Sequence, residues 1–211
     1  YKVTIKGFDA GPGYAGLVAG DIDLLTDTWL PITHADYVKR YGDKMKSLGC
    51  WYDNAKLTIV VNKDSKAKTI GDLKSIGDEY GNTLYGIEAG AGLTKVTQQS
   101  AIPKYGLNNL SFKISSTPAM LSQLKKAADA KRDIAVTLWR PHWAYGAFPI
   151  RDLKDPKKAM GDAEVIYSFA RSGFEQDFPK AAQLMRNMAF DDKTLSDLED
   201  IMFSADKYGG K

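Results

Sequence analysis

Hydrophobic and polar positions recur along this chain in two periods that take turns. Lys2 to Lys6 alternate with a period of two, as a half-buried strand does. Leu57-Thr58-Ile59-Val60-Val61 is a short, β-branched apolar run, the pattern of a buried strand. Leu84-Tyr85-Gly86-Ile87 and Asp133-Ile134-Ala135-Val136-Thr137-Leu138 repeat it. Between these runs the period lengthens to that of a helix. Residues 33–48 place Tyr37, Tyr41, Met45 and Leu48 on one face. Residues 118–128 do the same with Met120, Leu121, Leu124 and Ala128, with Thr117 as N-cap and Pro118 in the first helical position. Residues 179–189 open at Pro179 and carry Ala182, Leu184, Met185 and Met188. Residues 192–203 run from a cap at Asp191 or Asp192 through Leu195, Leu198, Ile201 and Met202. Gly20-Asp21-Ile22-Asp23 reads as a helix-to-strand turn that directs Ile22 and Leu24 into the core.

Such alternation predicts an α/β fold with mainly parallel strands. The chain holds no internal repeat, no low-complexity tract and no Pro/Gly/Ser linker. If it forms two lobes, it must pass between them on strands, near residues 55–63 and 144–151. Residues 1–56 and 148–211 then make one discontinuous lobe, and 57–147 an inserted second.

Composition narrows the partners. The 211 residues are 44% hydrophobic, enough for one large core or two small ones. Charged residues make up 26% and nearly cancel, leaving +3. They are interspersed, so neither a nucleic-acid-binding basic block nor a membrane-surface stripe is present. No run approaches the ~18 apolar residues that span a bilayer. Tyr1-Lys2-Val3-Thr4-Ile5 opens like a strand already under way, with no signal peptide, as a processed or trimmed chain would. Cys50 is the one cysteine, which excludes an internal disulfide; beside Trp51 it reads as a small buried hydrophobe.

Two segments carry candidate chemistry. Asp27-Thr28-Trp29-Leu30-Pro31-Ile32-Thr33-His34 sets an indole at the end of one strand. Leu138-Trp139-Arg140-Pro141-His142-Trp143 sets two more at the end of another. In open α/β sheets the carboxyl edge of the strands is where ligands bind. A Trp face attracts a cation that has no N–H to donate, by roughly 0.5–1 kcal/mol when exposed and about 2 when desolvated. The competing reading is core or hinge packing. Gly86-Ile87-Glu88-Ala89-Gly90-Ala91-Gly92-Leu93 leads into a helix, and a small-residue loop there suits an anion. It lacks the third glycine of a dinucleotide fingerprint and the Lys-Ser/Thr of a P-loop. His34 and His142 form no zinc-binding cluster. No nucleophile, base and orienting group can be assembled, which argues for binding rather than catalysis, with no cofactor and no metal.

The stretches Asp9-Ala10-Gly11, Gly20-Asp21-Ile22-Asp23 and Trp29-Leu30-Pro31-Ile32-Thr33-His34-Ala35-Asp36-Tyr37 resemble the glycine betaine/proline betaine-binding proteins of ABC transporters. The Gly86–Leu93 loop and Trp139-Arg140-Pro141-His142-Trp143 look like later landmarks of that family. The resemblance runs from about residue 1 to 203. It implies a two-lobed, Venus-flytrap periplasmic binding fold of type II, outside the cytoplasm, docking on a membrane permease. It implies a quaternary ammonium boxed by Trp29 and Trp139, with Trp143 behind. His34 matches a position that meets the ligand carboxylate. Gly86, Ile87, Gly90, Ala91 and Gly92 match the source of backbone amides for it, and Arg140 a holder of the closed form. The family pattern places a further cage Trp, on a strand ahead of Tyr1, that has no counterpart here; Trp51 reads as packing at the lobe boundary. Alternative ligands are choline, carnitine and ectoine, and alternative roles are a sensor module or a small enzyme.

Overall fold

The computed structural model describes residues 1–203. The tail at Gly209-Gly210-Lys211, read as a shortened final helix, lies outside the described residues. Seven strands form one mixed sheet: β1 (Leu24–Leu30), β2 (Met45–Asn62), β3 (Thr83–Tyr85), β4 (Ser111–Lys113), β5 (Ala135–Arg140), β6 (Ile150–Asp152) and β7 (Glu164–Arg171). The order is β1-β7-β2-β5-β3-β4, with β6 beside β2. Helices flank it: α1 (Ala10–Ala19), α2 (Ala35–Tyr41), α3 (Leu73–Ile76), α4 (Gly92–Val96), α5 (Ile102–Tyr105), α6 (Thr117–Asp129), α7 (Ala144–Ala147), α8 (Phe174–Asp177), α9 (Pro179–Asn187) and α10 (Asp192–Phe203).

The α/β class holds, but the expected preponderance of parallel strands does not. Only β5–β3 and β3–β4 pair in parallel. β1–β7, β7–β2, β2–β5 and β2–β6 are antiparallel. Parallel neighbours need a crossover, usually helical. The helices between β3 and β5 supply it at one end of the sheet. The other end is assembled from strands far apart in the chain.

Strand β2 organises both ends. At 18 residues it is far longer than an ordinary strand. Its first part, Met45–Ala55, pairs with β7; its last part, Lys56–Asn62, pairs with β5 and β6. Register shifts between Ser47 and Ala55 mark the part that bends. β6 pairs with Val60–Asn62, Lys154 N–H donates to Lys68 O, and Tyr105 OH donates to Asp155. These contacts hold residues 150–155 on the β5 side of the sheet.

Several local expectations change. Residues 1–8 form no strand and are exposed, since no neighbouring strand pairs with them. The helix read over 33–48 ends at Tyr41; Met45 and Leu48 are buried on β2, where pairing with β7 overrides the helical period. The N-cap of α6 is Ser116, whose Oγ accepts from Ala119 N–H, rather than Thr117. Leu184, Leu198, Ile201 and Met202 face solvent, while Ala182 and Leu195 are buried. Cys50 is exposed on β2 rather than buried. Gly20 caps α1 in the left-handed conformation, as a helix-to-strand turn needs.

Candidate functional site

The strand directions bring two rims together. Two antiparallel steps make β1 run the same way as β2, and one makes β5 run against it. β1 ends with Leu30 opposite Val165, next to Glu164, which pairs with Ala55. β5 ends with Arg140 opposite Lys56. The carboxyl ends of β1 and β5 therefore face each other and stop at adjacent levels of β2. Trp29 and Trp139 stand on these ends.

The Trp29 turn is fixed by hydrogen bonds. Trp29 N–H donates to His34 Nδ1 at 2.9 Å, and His34 N–H to Trp29 O at 3.0 Å. The indole N–H donates to Asp27 Oδ1 at 2.6 Å. Glu164 Oε1 accepts from Ile32 N–H at 2.7 Å and Thr33 N–H at 2.9 Å, and its Oε2 accepts from Thr33 Oγ1. Leu30–Pro31 is cis. Trp29 is only 5% exposed and belongs to the apolar cluster that also holds Tyr52, Leu57, Ile87 and Ala91. Leu25, on the same strand, packs in a separate cluster with Tyr14, Leu17 and Phe169. Trp29 is thus the part of β1 that joins the apolar surface of the β5 side.

His34 is 8% exposed, under the stacked rings of Tyr14 and Tyr37, 4.7 Å apart. Burial pushes its pKa down, and the charges of Asp27 and Glu164 oppose that push. Because Nδ1 accepts the Trp29 amide, the proton of the neutral ring is assigned to Nε2. His34 is then a single fixed donor.

The Trp139 turn is held by rings. His142 meets Trp139 edge-on at 4.6 Å and stacks on Trp143 at 5.5 Å. Trp143 in turn packs on Phe148 and on Phe203 of α10. His142 Nδ1 accepts from Ala144 N–H, and burial lowers its pKa to about 4. Arg140–Pro141 is cis. Arg140 Nε–H donates to Asp152 at 2.7 Å, and its guanidinium lies 3.6 Å from the centre of the Tyr145 ring. Tyr145 OH donates to the same carboxylate and lies 2.9 Å from Thr58 Oγ1. Trp139 is partly exposed, unlike Trp29.

The glycine loop sits against the Trp29 turn. Tyr37 OH donates to Gly90 O at 2.9 Å, and Lys95 pairs with Asp36. A Cβ on Gly92 would lie 2.1 Å from Thr33 O, so only glycine permits this approach. A Cβ on Gly86 would lie 2.5 Å from the Phe112 ring. The amide of Gly86 is bonded to Lys113 O, and that of Ala91 to Glu88 O. Those two expected amide donors are already paired; Ile87, Gly90 and Gly92 remain from the set.

Trp29 and His34 are thus bonded directly, Gly90 and Gly92 join them through Tyr37 and Thr33, and Trp139 and Trp143 meet on the two sides of His142. The two groups share one apolar cluster, without ring contact between Trp29 and Trp139 among the described residues. Trp51 is engaged elsewhere: its N–H donates to Thr26 O and its ring meets Phe190. Sequence reasoning missed Asp27, two residues before Trp29, although strand periodicity puts both on one face. It also missed Glu164, which carries no local signal at all. Among the described residues no group of His, Cys, Asp or Glu fits a metal, and no helix is long and apolar enough to cross a membrane.

Comparison with known proteins agrees with this architecture. Residues 1–207 match the OpuAC family, the substrate-binding domain of ABC-type glycine betaine transport systems. The glycine betaine/carnitine transport binding protein GbuC of Listeria monocytogenes is 40% identical over 131 residues, 61% of this chain and 42% of that protein's length. The crystal structure of a glycine betaine, L-proline ABC transporter binding protein (ProX) from Borrelia burgdorferi superposes with a TM-score of 0.83 at 32% identity, covering 97% of this chain and 76% of that one. Lactococcal OpuAC, closed on glycine betaine, gives 0.82 at 29% identity, covering 97% and 77%. The fold is that of the type II periplasmic binding proteins.

Proposed function

The chain belongs to the family of substrate-binding domains of ABC-type glycine betaine transport systems, and from that membership we propose that it captures a betaine between the Trp29 and Trp139 turns. The family serves transport and not catalysis. In this reading the two ends of the sheet are lobes. Residues 1–55 and 164–203 form one, residues 56–163 the other, and both crossings lie near the middle of β2. The faces of Trp29 and Trp139 take the quaternary ammonium, and Trp143 backs Trp139 through His142. The Nε2–H of His34 takes the carboxylate, together with amides from Ile87, Gly90 and Gly92.

The observation that carries this reading is the convergence of the ends of β1 and β5 at Ala55 and Lys56. A cation without N–H groups cannot be held by hydrogen bonds, so ring faces replace its hydration shell. A donor set fixed at one distance from those rings then selects for a zwitterion over a plain cation. The protein works outside the cytoplasm, and its ligand-closed form docks on a membrane permease.

Titration of intrinsic Trp fluorescence with glycine betaine, proline betaine, choline, carnitine and ectoine tests the assignment. Saturable changes with the betaines at lower concentration than with choline are expected. A preference for choline, or no response to any betaine, would overturn it.

A further inference from the structure

The most unusual buried group outside the proposed ligand contacts is the carboxylate of Glu164. Glu164 is 1% exposed, and every group that donates to its carboxylate lies 131 or more residues away in the chain. It accepts from two consecutive backbone amides, Ile32 and Thr33, and from the Thr33 hydroxyl. These amides lie just after Pro31, where the chain leaves β1 and cannot pair in the sheet. Charge-assisted bonds from a carboxylate are shorter and stronger than neutral ones, so this turn is held harder than an ordinary loop.

The placement matters more than the strength. Glu164 is the first residue of β7, immediately after the chain returns from the β5 side. On the same return segment, a Cβ on Gly161 would lie 2.7 Å from Ile32 Cδ1. The return segment thus clasps Ile32 and Thr33 from one side. Gly92 abuts Thr33 O from the other. The next residue is His34, whose ring bonds back to Trp29.

We propose that Glu164 is a positioning residue for ligand selection: from the crossing between the two halves it fixes Ile32–Thr33, and through them sets where His34 presents its donor. Glu164 itself does not meet the ligand. The inference rests on the preceding reading that His34 meets a ligand carboxylate, and it adds that selectivity for that carboxylate depends on a residue in the return crossing.

The test uses the full chain with Glu164→Ala and the near-isosteric Glu164→Gln, titrated by calorimetry with glycine betaine and with choline. The histidine ring nitrogens are followed by NMR without ligand. For Glu164→Ala, glycine betaine affinity is expected to fall about tenfold or more, since a small displacement of a binding group is costly. Choline affinity should change less than about threefold, because choline has no carboxylate for the displaced donor to lose. Gln keeps an oxygen for both amides and should restore most of the affinity. The His34 nitrogens should shift in Glu164→Ala while those of His142 stay in place. Equal losses for both ligands with His34 unmoved would reduce Glu164 to a folding residue and overturn the proposal, as would unchanged betaine affinity. If the wild-type chain binds no betaine, the functional reading fails by itself, and the His34 nitrogens alone then decide whether Glu164 positions that ring. If Glu164→Ala does not fold, Glu164→Asp, which draws the carboxylate back by one methylene, carries the same expectations and the same refutation.

Discussion

The Trp29 and Trp139 turns are built from the same words and held by different forces. Each is Trp-x-Pro at the carboxyl end of a strand, with a histidine following and a cis peptide before the proline. Around Trp29, every element is pinned by a hydrogen bond: indole to Asp27, backbone to His34, turn amides to Glu164. Around Trp139, rings lie on rings, and the polar anchor is one residue away at Arg140 and Asp152. Directional bonds fix an angle; ring packing tolerates sliding, because dispersion is weakly directional. The difference teaches that the first turn is fixed mainly by directional bonds and the second mainly by ring packing, with the His142–Ala144 bond as its local polar tie. Under the proposed function, the rigid rim would carry the fixed donor and the softer rim would close over the cation, a division that suits both selection and release.

Truncation of the two indoles breaks that comparison most sharply. Trp29→Ala is expected to lose betaine binding and also about 3–5 kcal/mol of stability, because it empties a buried position in the largest apolar cluster. Trp139→Ala should weaken binding at least about 30-fold, yet lower the melting temperature far less, since that ring is partly exposed. Calorimetry with thermal unfolding reads both. Similar stability losses for the two variants would erase the contrast.

His34→Ala sharpens it next. Loss of one donor to a charged group should cost betaine affinity about 10- to 100-fold; choline should lose far less, through the freed Trp29 backbone alone. An equal loss for choline would mean that His34 does not see the carboxylate.

Gly92→Ala tests the contact that joins the rigid rim to the glycine loop. The added methyl group meets backbone rather than a flexible side chain, so the loop and Thr33 must separate. Overpacking of about 1–2 kcal/mol predicts roughly 5- to 30-fold weaker binding. Unaltered affinity would show that this approach is dispensable.

The smallest effect is that of acid on the softer rim. Burial depresses the pKa of His142 to about 4, whereas an unfolded histidine titrates near 6.5. Between these values the unfolded chain binds more protons than the folded one, so stability is full above pH 6.5 and falls as pH drops toward 4. At pH 5.5 the loss from His142 is about 1 kcal/mol relative to pH 7.5. His34 acts in the same direction through its own lowered pKa. Chemical denaturation at the two pH values should show the loss, and His142→Phe should remove most of the His142 share. An equal acid loss in that variant would place the sensitivity elsewhere.

Sequence alone determined the α/β class and the periods of most elements, and it marked candidate segments for a site. Trp29, His34, Trp139 and the glycine loop were legible because each sits beside its own strand or helix signal, within a few residues. The approach of Thr33 to Gly92, the stack of Tyr14 on Tyr37, and the clasp of Glu164 were not legible. Nor was the fate of Met45 and Leu48, whose helical spacing yields to pairing with β7. These features depend on residues brought together from distant parts of the chain, and local periodicity holds no record of which distant strand will lie alongside. The direction in which β1 and β5 run past β2 was decided by tertiary pairing, and that direction brings the strand ends that carry the two indoles to adjacent levels of β2.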